Sequence, residues 1–565
     1  MKHTLILAAA SVACCTVALA QNSVNGQIDA NAGLGTAMPY GGSVKLDIKG
    51  QKWTFQPMIG VEGVGKNAST ELEDLHYYYT NNLKAPTDKQ SNLGFLYDSE
   101  SNLESKGYNL KYGMGVLYNL DASNIFNVTL AGNHRDVDVS GTRLEVLRTG
   151  SQSSTSVNSR LCWPGKKQDA VNLNAGFTHK TQRPGESIQL QYVFGYQHLD
   201  ENMTQEVLSG QTNNFTKFQT SALTTDATTQ KHTVSLDWKR PLTSNQALSA
   251  GLRYDRIALS SYDEQQFDQK PAVSEDFEHN TRTGAAYIAY NAHFGQLTAS
   301  ARLEYDYTHQ QDTVLHDWIP VVNLRWQASA HDALTAAYVR RVIRPTLEYL
   351  NPFNVCGAFT QDRGTSDLIG IHFNNVMLAY NHKQETVDFT TTLSHIFVED
   401  GFNAIWMATG TGNRISFWGN AGVRRAWSLT PDVKWTLSPL TTVKASVQVL
   451  WDKRIAYAIN MAKEHWGVTA RAELQQVLPK SFLLNLKAGY SEGNTVDLYS
   501  HEGNSFDLGA QLKHTFLRCP RLSAGLSYDY RKHPHLVLTQ GAYTGDVYRR
   551  SGDRYAASAQ LTYKF

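Results

Sequence analysis

Beyond residue 20 no stretch of this chain stays apolar for eighteen residues, so it encodes no membrane-spanning helix. Cysteine is scarce, five in 565 residues, and Cys14 and Cys15 lie in the N-terminal segment. The other three, Cys162, Cys356 and Cys519, lack metal-ligand spacing and are too few for a disulfide framework. Either Cys162 pairs with Cys356, both falling in expected loops on one side, or all three are independent thiols. An excess of one charge is missing as well. With 52 Lys+Arg against 51 Asp+Glu, the net charge of +1 gives no basic surface for nucleic acid. No Gly-x-Ser-x-Gly elbow, His-Glu-x-x-His helix or Cys-x-x-Cys pair occurs, so no enzyme, metal or cofactor is expected. The 19 histidines scatter, and His316-Asp317 and His533-Pro534-His535 fall in expected outer loops as solvated residues.

What the chain does have begins with an address. Met1-Lys2-His3 supplies a positive start, Leu5 to Ala13 an apolar core, and Ala18-Leu19-Ala20 a small-residue cleavage site before Gln21. Residues 1–20 read as a signal peptide and 21–565 as the exported protein. Ser11-Val12-Ala13 is too poor a lipobox to direct acylation at Cys14 or Cys15.

One pattern then repeats to the end of the chain: an alternating run, a tight turn, another alternating run, a longer polar stretch. Val234, Leu236 and Trp238 share one face while Ser235, Asp237 and Lys239 share the other; Phe506, Leu508, Ala510 and Leu512 repeat the pattern. Period two with one apolar face specifies a strand whose other face is wet. Short connections (Lys49-Gly50-Gln51-Lys52, Asp121-Ala122-Ser123-Asn124, Arg183-Pro184-Gly185-Glu186, Leu242-Thr243-Ser244-Asn245, Ser438-Pro439-Leu440-Thr441) alternate with long ones. The long stretches include Gly65 to Ser105, Gly141 to Lys167, Glu201 to Thr229 and Thr346 to Gly370. Sorting of loop length by parity marks an outer-membrane barrel, short turns inside and long loops outside. The expected fold is all-β, a transmembrane antiparallel β-barrel of about 22 strands. An even count returns both ends to the short-turn side. The last strand alternates through Tyr555, Ala557, Ala559, Leu561 and Tyr563 to Phe565, and Leu561, Tyr563 and Phe565 are expected to serve as the barrel assembly signal. A barrel of this size needs filling. Gly65 to Ser105 is the expected filler: Thr70 and Glu73 have capping-box spacing, and Leu72, Leu75 and Tyr79 follow at helical spacing.

The sharpest motif is Arg340 to Phe353, RRVIRPTLEYLNPF, directly after an expected strand. It resembles the barrel of TonB-dependent receptors of the Bacteroidetes type, in which an Arg-Pro and a Leu-Asn-Pro-Phe bracket an extracellular loop. Arg340, Arg341, Arg344, Pro345, Leu350, Asn351, Pro352 and Phe353 carry the match. Gly364 to Leu368 and Asn375 to Tyr380 stand where the family has two further motifs, the second here without its prolines. The prolines cannot donate to a ladder and end strand pairing. The three arginines are placed at the outer rim, near lipopolysaccharide phosphates, and Arg341 and Arg344 are the candidate ligand-binding residues. The resemblance extends to the barrel only: with strands starting just after Gln21, neither plug domain nor TonB box is expected. It implies an integral outer-membrane protein that transports a solute or forms a pore. The alternative is a surface receptor whose loops bind a ligand or lipoprotein without transport. Expected partners are outer-membrane lipid and lipopolysaccharide, the barrel assembly machinery, and a surface lipoprotein or plug-like partner.

Overall fold

The computed structural model describes residues 23–78, 94–149, 153–209, 216–268, 270–409, 411, 413–456, 461–494, 500–532, 536–538, 550–551 and 553–565. The expected signal peptide and His533 to His535 lie outside them. Eight strands open the fold: β1 (Ser23–Gly35), β2 (Ala37–Lys49), β3 (Trp53–Tyr78), β4 (Gly94–Asn119), β5 (Asn124–Thr149), β6 (Ser153–Lys180), β7 (Ser187–Ser209) and β8 (Thr216–Thr243). Then come β9 (Gln246–Phe267), β10 (Val273–Phe294), β11 (Leu297–Gln310), β12 (Thr313–Gln327), β13 (Asp332–Ile343), β14 (Ile371–Lys383) and β15 (Val387–Ala408). The sheet finishes with β16 (Arg414–Ser438), β17 (Thr441–Ala456), β18 (Met461–Leu478), β19 (Phe482–Glu492), β20 (Ser505–Thr515), β21 (Leu522–Lys532) and β22 (Arg554–Lys564). Each of these pairs antiparallel with the next. β1 closes on β22, from Gln27 opposite Lys564 to Gly35 opposite Ala556, giving a 22-strand barrel.

Alternation fixes which face is which. On β9 and β12 Leu252 is 61% exposed and Trp318 56%, as lipid-facing groups should be, while Asp263 and Asp317 on the opposite face are buried. Leu561 and Tyr563 also point outward on β22. All five short connections named from the sequence join neighbouring strands at one end, and both ends of the barrel sheet, at Gln27 and Lys564, meet there. In one of these turns, Asp121 accepts hydrogen bonds from the Ser123 amide at 2.7 Å and the Asn124 amide at 2.8 Å. The Asn124 side chain, above all, and these amides hold its carboxyl below the ordinary carboxylate value.

At the opposite end the wall is uneven. β3, β4 and β5 have 26 residues each and β6 and β8 have 28, whereas β11 to β14 have 12 to 15. A tilted strand crosses a bilayer in about 9–11 residues, so the tall side stands well beyond the membrane. Three stretches expected to be loops are therefore mostly strand. Asn67 to Tyr78 pairs with Gly94 to Ser105, Leu72 opposite Glu100 and Glu73 opposite Ser99, which replaces the expected helix over 70–78 by strand; Tyr79 and the tip of this connection, 79–93, lie outside the described residues. Gly141 to Thr149 pairs with Ser153 to Leu161, and Glu201 to Ser209 with Thr216 to Thr225. Above the membrane a strand meets water outside, so its outward residues need not be apolar and the alternation that marks a strand fades. His316 and Asp317 likewise lie on β12 rather than in a loop. Cys162, Cys356 and Cys519 are all free.

Candidate functional site

Where the wall is lowest, the connection from β13 to β14 turns into the barrel. β13 stops at Ile343, because Pro345 has no amide hydrogen to continue the ladder. One helical turn follows, α1 (Leu347–Leu350), then Asn351-Pro352-Phe353. The return path is tied to the outgoing one: the Gly364 amide donates to the Asn351 carbonyl at 2.6 Å and the Thr365 amide to the Tyr349 carbonyl at 2.8 Å. A Cβ at Gly364 would lie 2.3 Å from the Asn351 carbonyl oxygen, so this crossing requires glycine.

The loop is anchored on inward-facing residues of β9 and β11. Asn351 donates to Asp263 at 2.7 Å and to Ser261 at 3.3 Å. Cys356 bonds Gln265 through both backbone groups, at 2.9 and 2.8 Å, and Gln310 donates to the Leu368 carbonyl at 2.6 Å. Leu350 and Leu368 are buried against Leu259 and Phe277, with Tyr349 packed between Phe402 and Trp418. Phe359 reaches β4, its ring edge-on to Tyr97 at 6.3 Å. Residues 355–356 and 360–363 form short strands, and the latter runs parallel to β16. The loop thus touches β4, β9 to β12 and β15 to β16, and so crosses the lumen. Burial pushes the Cys356 thiol and the Tyr349 hydroxyl above their ordinary pKa values.

Beneath the loop lies a charged chamber of about 590 Å³ lined by Lys231, Arg253, Glu304, Asp306, Arg341 and Arg344 among others. Asp306 and Asp317 face each other across β11 and β12. Each has its own arginine: Arg253 reaches Asp306 at 3.4 Å, and Arg344 reaches Asp317 at 3.0 Å. Two carboxylates side by side repel, so Arg344 at the loop's root neutralises one half of a pair that the wall supplies. Arg344 also donates to the Thr308 hydroxyl at 2.8 Å, and His372 contacts Asp317 at 2.7 Å. Arg253 further bridges Glu304 at 2.9 Å and Asp255 at 2.7 Å. The chamber offers both signs of charge and hydroxyls, a lining that suits a polar solute. Among the described residues no group of three or more His, Cys, Asp or Glu is placed to hold a metal ion.

Of the candidate residues, Arg344 and Arg341 meet at this chamber, and Arg344 turns inward to a wall carboxylate rather than outward to the membrane rim. Leu561, Tyr563 and Phe565 stand apart from it at the seam with β1, where Phe565 and Gly26 exchange backbone hydrogen bonds of 3.0 Å. Sequence reasoning missed Asp263, Gln265, Gln310 and Asp317. Their inward parity was the available signal, but nothing local says what they hold.

A family model described as the outer membrane protein beta-barrel family matches residues 179–529. No curated protein matches the sequence. Among solved structures, the chain is similar to a mutant form of the ferric enterobactin receptor PfeA of Pseudomonas aeruginosa, with TM-score 0.61 and 11% identity over 96% of this chain and 80% of that one. The FrpB iron transporter of Neisseria meningitidis gives TM-score 0.59 at 11% identity, covering 96% and 81%. The outer membrane transporter YddB of Escherichia coli gives 0.56 at 10%, covering 96% and 80%. At such identities the likeness is one of fold.

Proposed function

Because this chain belongs to the outer membrane protein beta-barrel family, we propose that it carries a polar solute across the outer membrane, with the loop 344–370 occluding the lumen between passages. The observation that carries this reading is the anchoring of that loop on inward residues of walls as far apart as β4, β9 and β16. Such a barrel would otherwise leave a wide aqueous path. Arg341 and Arg344 are read as part of the solute's route, since both line the chamber below the loop. The RRVIRPTLEYLNPF motif supports kinship with TonB-dependent receptor barrels of the Bacteroidetes type. The same reading includes export by a signal peptide cleaved after Ala20, barrel assembly through the Leu561, Tyr563 and Phe565 strand, and a role without enzymatic chemistry.

Planar-bilayer recording tests it. The wild-type barrel is expected to conduct weakly, and a variant lacking residues 347–368 to open steadily and widely. Equal conductance in the two would mean that this loop does not gate the barrel.

A second reading, a surface receptor that binds a ligand or lipoprotein without transport, is favoured by the tall wall of β3 to β8, which exceeds what crossing the membrane requires. It expects the loop deletion to abolish ligand capture and leave solute flux unchanged.

A further inference from the structure

The outward face of β8 to β11 changes character within one row of residues. Leu236, Leu252, Ala286, Tyr305 and Trp318 stand side by side in register from β8 to β12, and the next row up is Val234, Tyr254, Gly284 and Tyr307. These two rows are apolar and aromatic, the composition of a lipid-facing band and its upper girdle. The row immediately above is His232, Arg256, Arg282 and His309, four basic residues on four consecutive strands. Acidic residues return two to three rows higher, at Glu278, Asp276 and Asp226.

Arg256 and Arg282 are directly opposite each other, both exposed, and neither side chain has an ion pair or hydrogen bond among the described residues. Like charges facing each other across a ladder destabilise it unless an anion lies between them. With Asn280, His309 and Gln311 they frame a cleft of about 210 Å³. The corresponding basic pair on the other side of the barrel is compensated: Arg425 stands opposite Lys453, and Lys453 bridges Glu464 at 2.6 Å.

We propose that Arg256, Arg282 and His309 bind the phosphate of a phosphorylated glycolipid in the outer leaflet. The depth selects the ligand, because the boundary between the apolar band and water is where lipid headgroup phosphates lie. Two adjacent cationic side chains at this depth can share and neutralise a phosphate group, chiefly through their charge. Tyr254 and Tyr307, one row below, offer ring faces to the first sugar and the acyl chains.

Native mass spectrometry of the detergent-purified barrel tests this with three probes: diphosphoryl lipid A, the same lipid with both phosphates removed, and sodium phosphate. Wild-type protein should retain the diphosphoryl lipid and not the dephosphorylated one, and millimolar phosphate should not displace it. At about fivefold in affinity per arginine near a membrane surface, the Arg256→Gln/Arg282→Gln pair should lose about 25-fold. Arg256→Lys/Arg282→Lys should keep binding within about fivefold. Arg240→Gln, on the same outward face at the short-turn end, should match wild type; heat-modifiable migration in gels checks that each variant folds. Equal retention of the dephosphorylated lipid, or full retention by the glutamine pair, would overturn the proposal. So would a lysine pair as weak as the glutamine pair. Displacement by millimolar phosphate would assign the cleft to the free anion and overturn its assignment to lipid.

Discussion

Two long connections of this barrel run in opposite directions. Residues 65–78 and 94–105 rise as continuations of β3 and β4, paired to Tyr78 opposite Gly94, while residues 344–370 fold back into the lumen. Both stretches are polar, so polarity does not decide. Residues 65–78 carry no proline, and from Asn67 to Tyr78 every residue stands opposite a partner on β4. Pro345 and Pro352 deny that solution to the other connection, whose backbone and side chains turn to the lumen wall: Cys356 to Gln265, Asn351 to Asp263, Leu368 to Gln310. A connection whose ladder breaks at its prolines must satisfy the backbone groups left over elsewhere.

The sharpest way to break this comparison is to remove each connection in turn. Replacing residues 71–100 by a tight turn should leave single-channel conductance unchanged, against the wide opening expected without residues 347–368. Equal opening in both would mean that the tall hairpin contributes to closure.

The next largest effect should come from the loop's root. Asp317→Asn leaves Arg344 facing a neutral amide in a buried setting, with side-chain exposures of 19% for Arg344 and 5% for Asp317. Breaking such a pair costs about 3 kcal/mol, or roughly a hundredfold in the balance of closed and open loop, read as the fraction of time spent conducting. An unchanged open fraction would remove Arg344 from the closure. Gly364→Val should act more weakly: its Cβ, 2.3 Å from the Asn351 carbonyl, forces the loop's two arms apart at about 1–3 kcal/mol, measured as faster proteolysis of the loop in folded barrels.

The smallest effect is acid-dependent. His279 is fully buried on β10 beside the apolar cluster that seats Leu350 and Leu368, stacked on Phe277 and within hydrogen-bond distance of the Thr281 hydroxyl and Gln311. Burial holds its imidazole below the ordinary value of 6.5. The closed state thus binds fewer protons than the opened one, and closure weakens as pH falls from 6.5 toward the depressed value. Open fraction should rise on acidification in wild type and stay flat in His279→Gln; a flat wild-type profile would separate His279 from the gate.

Much of the barrel was legible in the sequence because lipid imposes period two. Val234, Leu236 and Trp238 announce a strand, Asp121 to Asn124 a turn, and loop parity sets the strand count and the side of both termini. Legibility ends where lipid ends. Ser99 and Ser101 face inward and Glu100 and Asn102 outward, polar on both sides, so β4 reads as loop from the point where it leaves the membrane. At the site, the RRVIRPTLEYLNPF motif pointed to Arg341 and Arg344 and to strand-ending prolines. It could not show that Asn351 would meet residues 88 and 90 positions earlier in the chain, or that Arg344 would find Asp317 in a stretch read as a solvated loop.

The claim on which the rest depends is that residues 344–370 sit inside the barrel against β9. Asn351 and Ser261 touch at 3.3 Å, so cysteines introduced at both positions, with Cys162, Cys356 and Cys519 replaced by Ala, report on it directly. Oxidation of outer membranes should link Asn351→Cys to Ser261→Cys in most molecules, while Asn351→Cys with Tyr262→Cys, one residue along and facing out, stays reduced. Failure of the first pair to link, or equal linkage of the second, would place the loop outside the lumen.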